Sequence, residues 1–246
     1  MKRFLINIEY LGTNYNGFQL QKSKTLKTVQ GELENALKQV FLKEVKVFSC
    51  GRLDAGVHAL SLKAHFDVES GIKAVQVPHA INHFLPLDIS VTSAKEVDEN
   101  FHARFQVKQK TYQYNLYVSK YRHATKDVNS MQLVKKPNIT LMKEAIQYFL
   151  GTHDFTAFSN KNSSIKTTVR TVNSLTIEEA GDRITITISG KAFLYNMVRI
   201  IVGTLLEVGY GKFLPEQITQ IINSKSRDNA GKMVEAKGLT LISVEY

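Results

Sequence analysis

The chain has one cysteine, no tryptophan and four prolines in 246 residues. With only Cys50 available, an intramolecular disulfide and a thiolate-rich zinc site within one chain are both excluded. A lone cysteine of this kind reads as a small buried filler. No apolar run reaches the roughly 20 residues that a membrane helix requires. The opening Met1-Lys2-Arg3 is basic like a signal peptide, but the apolar stretch behind it is short and alternates like a strand, so cytoplasmic residence is expected. Acidic residues are also scarce: 22 Asp and Glu against 32 Lys and Arg leave a net charge of +10. Such an excess suits a polyanionic partner, nucleic acid first, although a basic surface that only aids solubility has the same balance. The apolar fraction of 43% is that of an ordinary globular protein with a sizeable core.

Periodicity supplies the elements. Phe4, Ile6, Ile8 and Tyr10 alternate, which predicts a first strand over 3–10. Val29, Leu33, Leu37, Val40 and Phe41 share one helical face behind Thr28, a suitable N-cap. Strands are expected at 45–49, 60–68 and 88–97, with a helix over 74–85 stopped by Pro86. A long alternating run over 105–118 sets Tyr112, Tyr114, Leu116 and Val118 on one side. Further on, a polar loop covers 119–138, and a helix at 141–150 is capped by Thr140 and stopped by Gly151. A second polar loop covers 159–168, followed by a hairpin of strands 170–178 and 183–189 turning at Ala180-Gly181-Asp182. An apolar helix is expected over 193–208, another from Pro215 to Asn223, and a last strand over 239–245. Each half interleaves strands and helices, as two related α/β units would, dividing near residues 104–110.

The segment Gly51-Arg52-Leu53-Asp54-Ala55-Gly56-Val57-His58 carries the clearest chemistry. Its glycines let the backbone bend and a ligand approach. They put the carboxylate of Asp54 at a strand-to-loop corner, where reactive groups are commonly displayed. A turn aspartate bonded to its own backbone is the plainer explanation. In an extended piece Arg52 faces the same side as Asp54. Arg199 sits among apolar neighbours, Met197-Val198 and Ile200-Ile201-Val202. Buried there, it needs an anionic partner; otherwise it snorkels to the helix surface. Tyr112 stands near Lys108 and Lys110, a pattern that suits base stacking beside phosphate contacts and equally a tyrosine of the sheet core. The histidines His58, His65, His79, His83, His102 and His123 have no metal-ligand spacing, and no Gly-rich phosphate loop is present.

The motif at 51–58 closely resembles the active-site motif of TruA-type tRNA pseudouridine synthases. The resemblance continues in order through Asn16-Gly17-Phe18-Gln19-Leu20-Gln21, Phe101-His102-Ala103-Arg104-Phe105, Tyr112-Gln113-Tyr114 and Gly151–Phe158. It goes on through Val169-Arg170-Thr171-Val172, Asn196-Met197-Val198-Arg199 and Gly238-Leu239-Thr240-Leu241. What it implies is an α+β fold of two α/β subdomains with largely antiparallel sheets flanked by helices and a cleft between them. The N-terminal subdomain, 1–105, would carry the aspartate, and the C-terminal one, 106–246, the tyrosine, arginine and apolar wall. The implied activity is isomerisation of uridine to pseudouridine in the tRNA anticodon stem-loop, at positions 38, 39 and 40. By resemblance Asp54 is the catalytic carboxylate, Arg199 its partner, Tyr112 the residue that stacks on uracil, and Leu241 the wall of the base pocket. Arg52, His58, His102, Arg104 and Arg170 are expected at the substrate. The family is homodimeric and uses no cofactor and no metal.

Cationic loops at 12–27, 119–136 and 159–170 are expected to hold phosphates, with Lys22, Lys24, Lys27, Lys161 and Lys166 among the candidates. Two positions and one segment depart from the family pattern. Leu53 replaces a threonine, Phe18 stands where tryptophan is common, and Met233-Val234-Glu235-Ala236-Lys237 replaces a small, proline-containing approach to the last strand. Leu53 is expected to point into the core, away from Asp54. Two other readings stand beside the enzyme: a non-catalytic RNA-binding or remodelling protein on the same fold, and a paralogue with altered RNA targets. A glycosidase built on Asp54 would call for a second nearby carboxylate, and the motif has none.

Overall fold

The computed structural model describes residues 1–21, 23, 25–160 and 167–246. Lys22, Lys24, Lys161 and Lys166, candidates for phosphate contact, lie outside the described residues. The elements in chain order are β1 (Lys2–Tyr10), α1 (Val29–Phe41), β2 (Phe48–Ser49), β3 (His58–Val68), α2 (Val77–Asn82), β4 (Ile89–Val97), β5 (Gln109–Val118) and β6 (Met131–Leu133). They continue with α3 (Ile139–Ile146), β7 (Gly151–Asp154), β8 (Val169–Ala180), β9 (Arg183–Gly190), α4 (Met197–Gly209), α5 (Gln217–Ser224) and β10 (Leu239–Glu245). The fold is mixed α+β. Antiparallel pairs predominate: β1 with β3 and β4, β2 with β3, β5 with β9, and β8 with β7 and β9, while β3 with β10 and β5 with β6 are parallel.

Two compact units are present, Met1–Lys108 with Thr240–Tyr246, and Gln109–Leu239. In the first, β1 lies between β4 and β3, and β3 takes β2 at one end and β10 at the other. Phe4, Ile6, Ile8, Leu62, Ala64 and Phe66 are fully buried, as their alternation predicts. Val29, Leu33 and Leu37 of α1 are buried too, and the Thr28 hydroxyl accepts the Gly31 N–H at 3.2 Å, the expected cap. In the second unit β9 lies between β5 and β8, with β7 outside β8. Tyr114, Ile184, Ile186 and Ile188 fill its core.

The differences from the expected elements have local causes. The strand expected over 45–49 is reduced to β2. The Val47 N–H donates to Glu34 Oε1 at 3.0 Å and its carbonyl accepts from Gln30 Nε2 at 3.2 Å, so α1 side chains replace a ladder. The segment 74–85 divides into a 3₁₀ turn, Ala74–Gln76, and the short α2. The loop expected over 119–138 contains β6, too short to show a period. Helix α3 starts earlier than expected because Asn138, not Thr140, caps it, accepting the Leu141 N–H at 3.2 Å. The helix also ends at Ile146, short of the stop expected at Gly151, which instead opens β7 with a positive φ. Helix α4 begins only at Met197 because Asn196 is left-handed, at φ 62°.

Candidate active site

The Gly51–His58 segment joins β2 to β3 and is braced from behind by residues 12–18. The Phe18 N–H donates to the Leu53 carbonyl at 3.0 Å, and the Gly56 N–H to the Tyr15 carbonyl at 3.4 Å. A turn closes over the motif itself, with the Val57 N–H on the Asp54 carbonyl at 3.2 Å. Gly17 has φ +88°, and a Cβ there would lie 2.6 Å from the Leu53 carbonyl oxygen. Only glycine combines that backbone angle with so close an approach. Tyr15 is buried, and its hydroxyl donates to Asp88 Oδ1 at 2.5 Å, anchoring the brace. Burial, then that bond, raises the phenol pKa well above its ordinary value. The brace was legible only as a polar loop; its signal was the Asn16-Gly17 pair, a turn dipeptide.

Alternation then sorts the motif. Leu53 is buried, Asp54 half-buried and Arg52 exposed, so the leucine does point inward. His58 is buried at the start of β3, and its Nδ1 accepts the Gly12 N–H at 3.0 Å. Acceptance at Nδ1 implies a neutral ring with its proton on Nε2. Strand β10 runs parallel alongside, pairing Thr240 with His58 and Leu241 with Ala59. The buried Leu241 thus lies at the same end of the sheet as the aspartate corner.

His102 and Arg104 belong to a separate cluster of the first unit. The His102 ring is 4.8 Å from that of His65, which stacks on Phe48 at 5.2 Å. His65 is buried and its Nδ1 accepts the Ala103 N–H at 3.2 Å. Burial, then the charges of Arg3 and His102, push its pKa down to about 4. His102 is lowered as well, chiefly by burial. Arg104 is exposed, its guanidinium over Phe105 at 6.0 Å. Arg3 grips Asp67 with Nε and Nη2 at 2.7 and 2.6 Å.

In the second unit Tyr112 lies on β5 opposite Ile188 of β9. It is buried, with Phe193 edge-on at 5.3 Å. Arg199 is on the first turn of α4 and half-buried. Its Nε donates to the Val234 carbonyl at 2.9 Å and its Nη1 to Asn196 Oδ1 at 3.1 Å. The left-handed Asn196 therefore both starts the helix and orients the arginine, a role its position alone did not reveal. Tyr114 donates to the Glu235 carbonyl at 2.7 Å. Arg170 lies on β8 opposite His153, and its Nη1 donates to the carbonyls of Thr167 and Val169 at 2.9 and 2.6 Å. Burial lowers its pKa.

Comparison with known proteins agrees with this arrangement of motifs. A family model described as tRNA pseudouridine synthase matches residues 6–106 and 145–246. Asp54, Arg170, Arg199 and Leu241 fall within those stretches and Tyr112 in the interval between them. The tRNA pseudouridine synthase A of Acetivibrio thermocellus is 44% identical over 246 residues, covering all of both chains. That of Brevibacillus brevis is 42% identical over 250 residues, again over both full lengths. A protein named tRNA pseudouridine synthase A 2 from Bacillus cereus is 40% identical over 246 residues. The chain belongs to the TruA family of tRNA pseudouridine synthases, which are intramolecular isomerases.

Proposed function

We propose that this protein isomerises uridine to pseudouridine in the anticodon stem-loop of tRNA, at positions 38, 39 and 40, with Asp54 as the catalytic carboxylate. The observation that carries the reading is the braced corner. Asp54 is half-buried on a turn whose backbone is held by residues 12–18, while Leu53 fixes the opposite face in the core. A rigidly held, partly desolvated carboxylate stabilises the positive charge that builds on ribose as the N1–C1′ bond breaks. The uracil then turns, C5 bonds to C1′, the C5 proton departs and N1 ends protonated. Atoms and electrons balance within one nucleotide, so no oxidant or reductant is required. Asp54 starts ionised whether it attacks C1′ or takes a ribose proton, and Arg199 is its counter-ion in this reading. Tyr112 stacks on the uracil and Leu241 walls the base, which has to leave the helical stack to react. Exposed Arg52 and Arg104, with His102 and Arg170, serve the RNA backbone. His58, buried beneath the corner, serves it by holding residue 12. The enzyme acts as a homodimer, which sedimentation equilibrium in solution would check.

One observation favours a shifted target range: the 233–237 segment departs from the family pattern beside the residues that hold Arg199. The decisive experiment is incubation with unmodified tRNAs followed by pseudouridine mapping. Wild type should modify the anticodon arm, and Asp54→Asn should be slower by roughly a thousandfold or more. No product from folded wild type on any tRNA would sink the enzyme reading. An undiminished rate in Asp54→Asn would remove Asp54 from the chemistry. Product at other uridines would identify a paralogue with different targets.

A further inference from the structure

The stretch 119–130 after β5 belongs to the basic loop, 119–136, expected from the sequence to hold phosphates. It carries Lys120, Arg122 and Lys126, with Tyr121 exposed, and in its midst one acid, Asp127. A carboxylate in an RNA-facing loop repels the ligand, so its presence needs another reason. Its contacts supply one. Asp127 Oδ1 accepts from Lys237 Nζ at 2.9 Å and from the hydroxyl of the buried Tyr117 at 3.2 Å. Its Oδ2 is 3.6 Å from Arg122 Nη1, and its N–H donates to the His123 carbonyl at 2.9 Å. The side chain is only 16% exposed. Lys237 stands in the segment that departs from the family pattern and is also 2.9 Å from Glu235 Oε2. That segment supplies the Val234 carbonyl to Arg199 and the Glu235 carbonyl to Tyr114. One ion pair therefore joins the basic loop to the backbone that holds Arg199.

We infer that Asp127 and Lys237 are a positioning pair that pre-orders the 119–130 loop for tRNA phosphates and ties it to the segment holding Arg199. The physical gain is entropic. A loop of like charges spreads when free, and ordering it on binding costs on the order of 1 kcal/mol per residue. A carboxylate clasped to a lysine and a buried phenol restrains the loop beforehand. The Lys237 ammonium also holds Asp127 below the usual carboxylate range, so the clasp stays charged at neutral pH.

The inference rests on the tRNA reading and is tested so that the two fail differently. Wild type, Asp127→Asn, Lys237→Met and Lys237→Arg are compared for tRNA affinity by filter binding, for isomerisation, and for amide exchange of 119–130 without RNA. Asp127→Asn adds one net positive charge, so electrostatics alone predicts tighter binding. The positioning role predicts the opposite sign: affinity about fivefold weaker, with faster exchange confined to the loop and its anchor. Lys237→Met should likewise quicken exchange in 119–130, and Lys237→Arg should restore it. Wild type that makes no pseudouridine overturns the underlying reading. Active wild type alongside an Asp127→Asn protein that binds tRNA equally or more tightly overturns the positioning pair alone. Should Asp127→Asn fail to fold, unchanged loop exchange in Lys237→Met overturns it as well.

Discussion

The Asp54 corner and the 232–237 segment both support residues assigned to catalysis, and they do so by different means. At the corner, identity is demanded where backbone meets backbone. Gly17 combines positive φ with an approach to the Leu53 carbonyl that a Cβ would block. Leu53, although it departs from the family pattern, is buried and packs inward. In the 232–237 segment the parts that meet Gly203, Arg199 and Tyr114 are carbonyl oxygens, and the Lys237 side chain reaches Asp127 instead. The Lys232 carbonyl packs against Gly203 of α4, the Val234 carbonyl receives Arg199, and the Glu235 carbonyl receives Tyr114. Every residue type has a carbonyl. The segment can therefore depart from the family pattern while still holding Arg199, whereas Gly12 and Gly17 of the brace cannot be exchanged without displacing the corner backbone.

The largest expected effect breaks the corner. Gly17→Ala combines a disfavoured backbone angle with a clash against backbone, and should cost about 3 kcal/mol or more. Urea unfolding would show the loss, and activity should fall even where the protein remains folded. A stable, fully active Gly17→Ala would show that the brace does not set the aspartate.

A second effect separates the regions by pH. His65 pairs with Phe48 of β2, the strand that leads into the corner, and its folded pKa is pushed down to about 4 by burial. Arg3 and His102 act in the same direction and Asp67 against it. The unfolded state binds this proton more readily, near the ordinary histidine value of about 6.5. Stability is therefore fully present above that value and falls as pH drops toward 4, by up to roughly 3 kcal/mol. Urea midpoints taken from pH 7 to pH 4 should show the slope, and His65→Gln, which still offers an acceptor to Ala103, should flatten it. An unchanged slope in that variant would assign the acid loss to other groups.

The smallest effect sharpens the contrast. Glu235→Ala keeps the carbonyl that receives Tyr114 and removes only an exposed ion pair with Lys237. Stability should change by less than about 0.5 kcal/mol. A loss of 2 kcal/mol would show that the side chain matters, and the distinction between backbone and side-chain support would fail there.

Much of this was legible along the chain. Strand β1, helix α1 with its Thr28 cap, the β8–β9 hairpin and the last strand follow from periodicity and from capping and turn residues. The short β6 and β7 did not, since three or four residues cannot establish a period. Val45 and Val47 read as strand and are buried, yet α1 side chains take the place of a ladder, a contact between residues 13 and 17 positions apart. Of the site, the motif at 51–58 and the inward Leu53 were visible from alternation and order. The orientation of Arg199 by Asn196 and the Val234 carbonyl was not, because one partner lies 35 residues away.

By itself, the sequence determined the chemistry on offer: a carboxylate between two glycines, a basic chain for a polyanion, and the ordered motifs of one isomerase family. Tertiary structure decided the supports. It set residues 12–18 behind Asp54, returned Thr240–Tyr246 to pair beside His58 and Ala59, and brought Asp127 to Lys237 across 110 positions. Local pattern records only which face of an element is apolar. Which carbonyl or carboxylate meets that element is settled when distant segments pack and each buried polar group has to find a partner.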